Sequence, residues 1–118
     1  MMRRRFLLDN NRSRLAAEEF ERRTRAAVIY YELLAAIYDQ ADQSIKELSF
    51  FIHRHDSTMS KQVGHLVRDD LVTKHLDEND SRTHRVRITP KGVIRLTHMD
   101  TIADDIYEQL HKTSEATP

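Results

Sequence analysis

Hydrophobic positions recur with a helical period over most of the chain and with a period of two over one short segment. The stretch "RAAVIYYELLAAIYDQ" has apolar residues three or four positions apart, which is typical of a helix with one face on a core. The segment from Ser13 to about Phe20 also suits a helix, and Thr24 is the predicted cap of the helix that follows. The pattern leaves open whether these two helices are continuous. The predicted core stripe comprises Ala27, Tyr30, Tyr31, Leu34, Ala35 and Tyr38.

A third helix is predicted in "SIKELSFFIHR". Ser44 and Glu47 have the spacing of a capping box, in which the hydroxyl and the carboxylate each accept a backbone N–H of the other residue. After a short turn, Ser57 is the predicted cap of a fourth helix, because serine is favoured at that position. The predicted buried face of the third helix comprises Ile45, Leu48, Phe51 and Ile52.

The fourth helix, "STMSKQVGHLVRDD", divides into two faces. Its apolar face is formed by Met59, Val63, Leu66 and Val67. A glycine in its interior, Gly64, costs about 1 kcal/mol relative to alanine. The opposite face consists of side chains that donate or accept hydrogen bonds: Thr58, Lys61, Gln62, His65 and Arg68.

After Leu71 the period changes to two. The runs "LVTKHL" and "HRVRIT" alternate around the polar turn "DENDSR", which predicts a β-hairpin. Thr89 is the predicted cap of a last helix, with Pro90 at its first position. That helix has an apolar stripe that extends past the core expected of so small a domain, so a partner helix is its predicted cover. The stripe comprises Met99, Ile102, Ala103, Ile106 and Leu110.

Composition narrows the class of protein. With 118 residues, two glycines and two prolines, the chain is predicted to be a single domain over residues 1–118 that is mainly helical. The absence of cysteine excludes disulfides and cysteine-based zinc sites. No apolar run is long enough to span a membrane or to serve as a signal peptide, so the predicted location is cytoplasmic.

Charge is balanced over the whole chain but not locally. The formal net charge is zero, which argues against a generic polycation. Residues 82–95 nevertheless carry five basic side chains and no acid, which predicts a basic patch suited to phosphate. No nucleophile motif, phosphate-binding glycine loop or metal-ligand spacing occurs, so neither catalysis nor a metal or cofactor is predicted.

The order of these elements predicts a winged helix-turn-helix, a mainly α fold with a small β-hairpin wing. A major groove admits one helix, whose polar side chains can bond base edges, and a basic hairpin can reach phosphates or the minor groove. Base contacts are predicted for Thr58, Lys61, Gln62 and His65. Phosphate contacts are predicted for Ser57, Ser60, Arg68, Arg85 and Arg87.

The residues that carry this pattern resemble the MarR family of bacterial transcription regulators over about residues 24–97. The shared features are a Ser-Thr-x-Ser start of the recognition helix, an Asp-x-Arg wing tip and a Thr-x-x-Gly opening of the last helix. Here these are Ser57, Thr58 and Ser60, then Asp80 and Arg82, then Thr89 and Gly92. The short chain without cysteine is also similar to the family's staphylococcal accessory regulator branch.

The resemblance implies a homodimer on a pseudo-palindromic operator, with Arg82 entering the minor groove and Asp80 steadying it or the wing. One departure is Asp70, which stands where the family has glycine, so the turn from helix to wing is expected to differ. Repression is the working expectation, with activation left open, and the sequence identifies no effector. Dimerisation is predicted through helices at about 12–23 and 90–112, by Leu15, Phe20, Met99, Ile102, Ile106 and Leu110.

Two alternatives stay open at this stage. The polar face of the fourth helix also fits an ordinary solvated surface, and Asp80 with Arg82 also fits an exposed ion pair that contributes little. A winged helix used as a protein-interaction module, without sequence-specific DNA binding, is therefore the second functional hypothesis.

Overall fold

The structure is a computed structural model that describes residues 11–115, in two compact units. One unit contains the described residues up to Val28 together with those from Thr97 onward, and the other spans Ile29–Leu96. The elements in chain order are α1 (Asn11–Thr24), α2 (Val28–Asp39), β1 (Gln43–Ser44), α3 (Ile45–Ile52), α4 (Asp56–Arg68), β2 (Val72–Leu76), β3 (His84–Ile88) and α5 (Pro90–Glu115).

The unit Ile29–Leu96 contains a three-stranded antiparallel sheet in the order β1-β3-β2. In the hairpin, Thr73 pairs with Arg87 and His75 with Arg85, which confirms the predicted strands. Val86 lies on the central strand and is fully buried. The strand β1 was not predicted, because two residues are too few to show a period. The predicted fold class, mainly helical with a small wing, is confirmed.

The helix α3 begins with the predicted capping box. The Glu47 N–H donates to the Ser44 hydroxyl at 3.0 Å, and the Ser44 N–H donates to the Glu47 carboxylate at 3.1 Å. The prediction that Phe51 is buried is wrong, because its side chain is about half exposed. The buried positions of this short helix are Leu48 and Ser49, and burial of the serine is possible because its hydroxyl donates to the Ile45 carbonyl.

The predicted cap of the second helix is also wrong. Thr24 is the last residue of α1, and its hydroxyl donates to the Phe20 carbonyl at 2.8 Å. Arg25 adopts a left-handed conformation with φ 58°, which ends α1 and separates the two helices. The N–H of Val28, at the start of α2, instead donates to the Glu21 carboxylate at 3.0 Å.

The helix α2 is buried on more sides than its predicted stripe. Tyr38, predicted to be buried, is about half exposed, and Tyr30 is partly exposed. Almost every residue of α2 between Tyr30 and Tyr38 is buried by the rest of the chain. The buried surface of this helix is therefore wider than a single apolar stripe. The buried residues of α2 are Val28, Tyr31, Leu33, Leu34, Ala35, Ala36 and Ile37.

The other unit contains α1 and the part of α5 from Thr97 onward. Its apolar residues are covered by their own chain: Phe20, Met99, Ile102 and Ile106 are all buried. The observation that suggested a partner helix over the α5 stripe is therefore lost for Met99, Ile102 and Ile106. Leu15, in contrast, is 62% exposed. Dimerisation through the terminal helices stays a prediction.

The turn after α4 keeps a left-handed residue without glycine. Asp70 has φ 63°, its N–H donates to the Val67 carbonyl at 3.0 Å, and the Leu71 N–H donates to the Leu66 carbonyl at 2.9 Å. This is the Schellman pattern that commonly ends helices. Aspartate enters the left-handed region more readily than most residues, which allows this turn to form without glycine.

The start of α5 is fastened to the same turn. The Thr89 hydroxyl accepts the Gly92 N–H at 2.9 Å, as predicted for a cap, and donates to the Asp70 carbonyl at 2.7 Å. The Thr89 N–H donates to the Leu71 carbonyl at 3.0 Å. Gly92 is required here, because a Cβ at this position would overlap the Leu71 carbonyl oxygen and lie 2.7 Å from the Ile88 side chain.

The two glycines of the chain are expected to respond oppositely to alanine. Gly92→Ala should lower the free energy of unfolding by about 1–3 kcal/mol, because the added methyl group collides with backbone. Gly64→Ala should raise it by about 1 kcal/mol, since no atom lies within 4 Å of a Cβ there. Urea unfolding followed by circular dichroism measures both. A Gly92→Ala protein as stable as the wild type would contradict the close approach.

Candidate nucleic-acid interface

The helix α4 buries one face and exposes the other. Met59, Val63 and Leu66 are buried as predicted, and Val67 is partly exposed. The exposed residues include the predicted base contacts Thr58, Lys61 and His65 and the predicted phosphate contacts Ser57, Ser60 and Arg68.

The start of α4 differs from the prediction. Ser57 does not cap the helix, because the helix begins at Asp56 and His55 occupies the capping position. The His55 carbonyl accepts the Met59 N–H at 2.9 Å, which forms the first helical hydrogen bond. Ser57 therefore lies in the first turn, where its exposed side chain stays a predicted phosphate contact.

Gln62 is placed less favourably than the other predicted base contacts. Its side chain is partly buried, and its amide oxygen is shielded from solvent without a hydrogen-bond partner among the residues that the structure describes. An adenine contact needs both the oxygen and the nitrogen of the amide. In this conformation the oxygen does not reach a base, so the predicted contact requires a rotation of the side chain.

His65 is held by a second helix. Its Nδ1 lies 2.8 Å from the Tyr30 hydroxyl of α2. The centroids of the two rings are 6.0 Å apart and their planes are inclined by 15°. The hydrogen bond therefore positions the imidazole while His65 stays exposed.

Arg85 is held by groups of its own chain, with which its predicted phosphate contact is in competition. Its Nε donates to the Asp77 carboxylate at 2.5 Å, and its Nη1 donates to the Asp42 carbonyl at 2.8 Å. The Glu47 carboxylate lies 3.4 Å from the same Nη1. As predicted, Arg85 and Val86 lie on opposite faces of β3. The face that carries Arg85 is turned toward acidic residues of other segments.

Arg87 lies on the same side of β3 and is also paired. Its Nε and Nη2 lie 3.1 and 3.4 Å from the two carboxylate oxygens of Asp42. The His75 Nε2 lies 3.0 Å from the same carboxylate. The side chain of Arg87 stays 60% exposed, so its predicted phosphate contact is in competition with Asp42.

The tip of the wing, residues 77–83, is folded by two aspartates. Asp77 accepts the N–H groups of Asn79 and Asp80 at 2.7 and 3.1 Å. Asp80 accepts the Arg82 N–H at 3.0 Å and the Thr83 hydroxyl at 2.9 Å. The Arg82 Nε lies 3.8 Å from Asp80, and the Arg82 side chain is 94% exposed. Asp80 therefore positions the backbone of Arg82 while the guanidinium extends into solvent.

These hydrogen bonds keep the acidic residues ionised. The Arg85 guanidinium, followed by the Asn79 N–H, lowers the pKa of Asp77, and the Arg82 N–H with the Thr83 hydroxyl lowers the pKa of Asp80. The Arg87 guanidinium lowers the pKa of Asp42. Negative charge beside Arg85 and Arg87 therefore offsets much of the basic patch that the sequence suggested, but leaves the exposed Arg82 at the tip.

Sequence reasoning missed the partners of these arginines. Asp42 lies more than forty residues before Arg85 and Arg87, and no local pattern connects them. Tyr30 was assigned to a core stripe, so its bond to His65 was not foreseen. Asp77 carried the one available signal, because an aspartate at the start of a polar turn commonly accepts backbone N–H groups.

Neither a metal site nor a membrane-spanning helix is found among the residues that the structure describes. No three histidine, aspartate or glutamate side chains in this part of the chain come together as a metal site. The described helices also lack the length and apolar character needed to cross a bilayer.

The Asp77→Asn variant should lose stability in a pH-dependent way. Because the folded state lowers the pKa of Asp77, its contribution is present above the unfolded value and is lost as pH falls through the folded value. The wild type should therefore be more stable than Asp77→Asn at neutral pH. That difference should begin to narrow below about pH 5. Urea unfolding at several pH values measures it, with Glu78→Gln as the control, and a difference independent of pH would contradict this role.

Comparison with known proteins agrees with this geometry. The sequence pattern of the winged helix DNA-binding domain family matches residues 31–92, which is just over half of the chain. Among curated proteins, no sequence matches significantly.

Solved structures with the same fold include DNA-binding regulators. MarR from E. coli superimposes with a TM-score of 0.78 at 19% identity, over 86% of this chain and 75% of that one. A MarR variant in complex with operator DNA gives 0.74 at 19% identity, over 86% and 73%. MepR from S. aureus in a DNA complex gives 0.72 at 17% identity, over 84% and 74%. The resemblance to the MarR family is thus confirmed at the level of the fold, and the chain belongs to the family of winged helix DNA-binding domains.

Proposed function

We propose that the chain is a transcription regulator that binds double-stranded DNA sequence-specifically as a homodimer. In this proposal α4 enters the major groove of each half of a pseudo-palindromic operator, and Arg82 of the wing enters the adjacent minor groove. The observation that carries the proposal is the exposed polar face of α4 followed by a wing whose tip extends one arginine into solvent. E. coli MarR with operator DNA and S. aureus MepR with DNA have the same fold and support this assignment.

The proposed contacts separate into two kinds. Thr58, Lys61 and His65 are placed to reach base edges, which carry sequence information in the major groove. Arg82 contributes mainly through charge, because a narrow minor groove concentrates negative potential and attracts an inserted arginine. A protein without net charge can bind a polyanion in this way if its exposed cations lie where the phosphates run.

Selection of binding sites from random duplexes tests sequence specificity, and salt titration tests the electrostatic part. The affinity for the selected duplex should exceed that for random duplex and should fall steeply as salt rises, because bound phosphates release counterions. A protein-interaction module would instead select no sequence and would show weak DNA binding that salt hardly changes.

The wing variants should separate the roles of its two charged residues. Arg82→Ala should weaken binding and make the dependence of log affinity on log salt shallower by roughly one phosphate per protomer. Asp80→Ala should also weaken binding, although it removes a negative charge, because the Arg82 backbone loses its acceptor. Fluorescence anisotropy at several salt concentrations measures both variants.

The control for this comparison is Arg22→Ala, which removes an exposed arginine of α1 outside the proposed interface. It should leave the salt dependence unchanged. The wing assignment is wrong if Asp80→Ala binds every duplex more tightly than the wild type does.

The proposed homodimer forms through the terminal helices. Leu15 supports this, because its large apolar side chain lies exposed on α1. Leu15→Asp should give a folded monomer, since burying a leucine contributes roughly 1.5–3 kcal/mol. The control Phe50→Asp changes an exposed apolar residue of α3, outside the terminal helices, and should leave the dimer intact. Sedimentation equilibrium at micromolar concentration measures both, and a monomeric wild type would refute the dimer.

A further inference from the structure

The contact between Tyr30 and His65 affects both the position of the imidazole and the ring nitrogen that it presents to a ligand. The hydroxyl oxygen lies 2.8 Å from Nδ1, and the two ring planes are inclined by only 15°, so the hydrogen bond holds the imidazole nearly in the plane of the phenol ring. The bond also determines which ring nitrogen is available to a ligand. With Nδ1 occupied by Tyr30 and His65 exposed on α4, Nε2 is the nitrogen left for a partner.

The chemistry of the two groups indicates where the proton lies. A neutral imidazole has one nitrogen that donates and one that accepts. A phenol is a good donor, and the unprotonated imidazole nitrogen is a stronger acceptor than a phenolic oxygen, so the favoured arrangement is O–H···Nδ1. The ring proton of neutral His65 is then on Nε2. In the protonated form Nε2 also carries a proton, so Nε2 donates in both states.

We propose that Tyr30 is a positioning residue for base recognition, and that it holds His65 as an Nε2–H donor directed at a hydrogen-bond acceptor of a base. This inference rests on the proposed function, and it specifies which atom of His65 contacts a base and which kind of base atom it recognises. In the major groove, guanine presents N7 and O6, adenine presents N7 and thymine presents O4 as acceptors, whereas the cytosine amino group only donates. Guanine is the expected target, because its two acceptors lie side by side.

The first test is made on the free protein. Long-range nitrogen–proton NMR correlations of the His65 ring, at about pH 8 where an ordinary imidazole is neutral, distinguish a protonated nitrogen from one with a lone pair. In the wild type Nε2 should be protonated, and Nδ1 should show the shift of an accepted hydrogen bond. Tyr30→Phe keeps the aromatic ring, removes the hydroxyl and should abolish that shift. A proton on Nδ1 in the wild type would overturn the proposal.

The matched control is Tyr38→Phe, which removes a phenolic hydroxyl two turns further along α2. It should leave the His65 nitrogen shifts as in the wild type. If Tyr38→Phe and Tyr30→Phe change them equally, the effect belongs to the helix in general and the proposed hydrogen bond is refuted.

The second test uses the selected duplex with 7-deazaguanine at one guanine at a time, which replaces the N7 acceptor by a C–H group. The wild type should lose affinity roughly threefold to tenfold at one position in each half-site. His65→Ala should not respond at that position, and Tyr30→Phe should respond less than the wild type. An equal loss in the wild type and His65→Ala at every position would overturn the base contact.

The two tests separate this inference from the proposed function. If no sequence is selected from random duplexes, the proposed function fails and the base contact fails with it, whatever the NMR result. If a sequence is selected and the wild-type ring carries its proton on Nδ1, the proposed function stands and the role given to Tyr30 is wrong.

Discussion

The guanidinium of Arg85 joins three parts of the winged helix that are distant in sequence. It donates to Asp77 at the start of the wing tip and to the Asp42 carbonyl before β1, and it lies beside Glu47 in the capping box of α3. Exposed ion pairs contribute little to stability individually. Arg85 matters because its planar guanidinium positions several N–H donors at once. These donors connect the wing to the strand and helix that precede the recognition helix.

This arrangement divides the arginines of the wing by task. Arg85 is directed inward, Arg87 is shared with Asp42, and Arg82 is left extended at the tip. The basic run at residues 82–95 therefore suggests more positive charge than DNA can contact, because Arg85 and Arg87 are paired. The zero net charge of the chain suggests less, because Arg82 is exposed. The two aspartates of the tip stay ionised while they hold its backbone. Their carboxylates act as loop acceptors beside the one arginine that is proposed to enter a groove.

Local signals in the sequence predicted most of the fold. The capping box at Ser44, the change of period after Leu71 and the Thr89 cap are determined by neighbours within a few residues, and the structure confirms each. Predictions that depended on distant residues were less accurate. Phe51 and Tyr38 are exposed because the surrounding chain determines which side of a short or buried helix faces solvent. The prediction of a phosphate contact for Arg85 did not include its partners, which are Asp77 in the same hairpin and the distant Glu47 and Asp42 carbonyl.

Fast amide exchange of the wing, measured by NMR on the free protein, tests this account most directly. The N–H groups of Asn79 and Asp80 both donate to Asp77, whose other carboxylate oxygen is held by Arg85. If Arg85 holds the wing tip, Arg85→Gln should accelerate exchange of both amides, while Arg82→Gln should leave them at the wild-type rates. Unchanged rates in Arg85→Gln, or the same acceleration in Arg82→Gln, would show that Arg85 does not organise the wing.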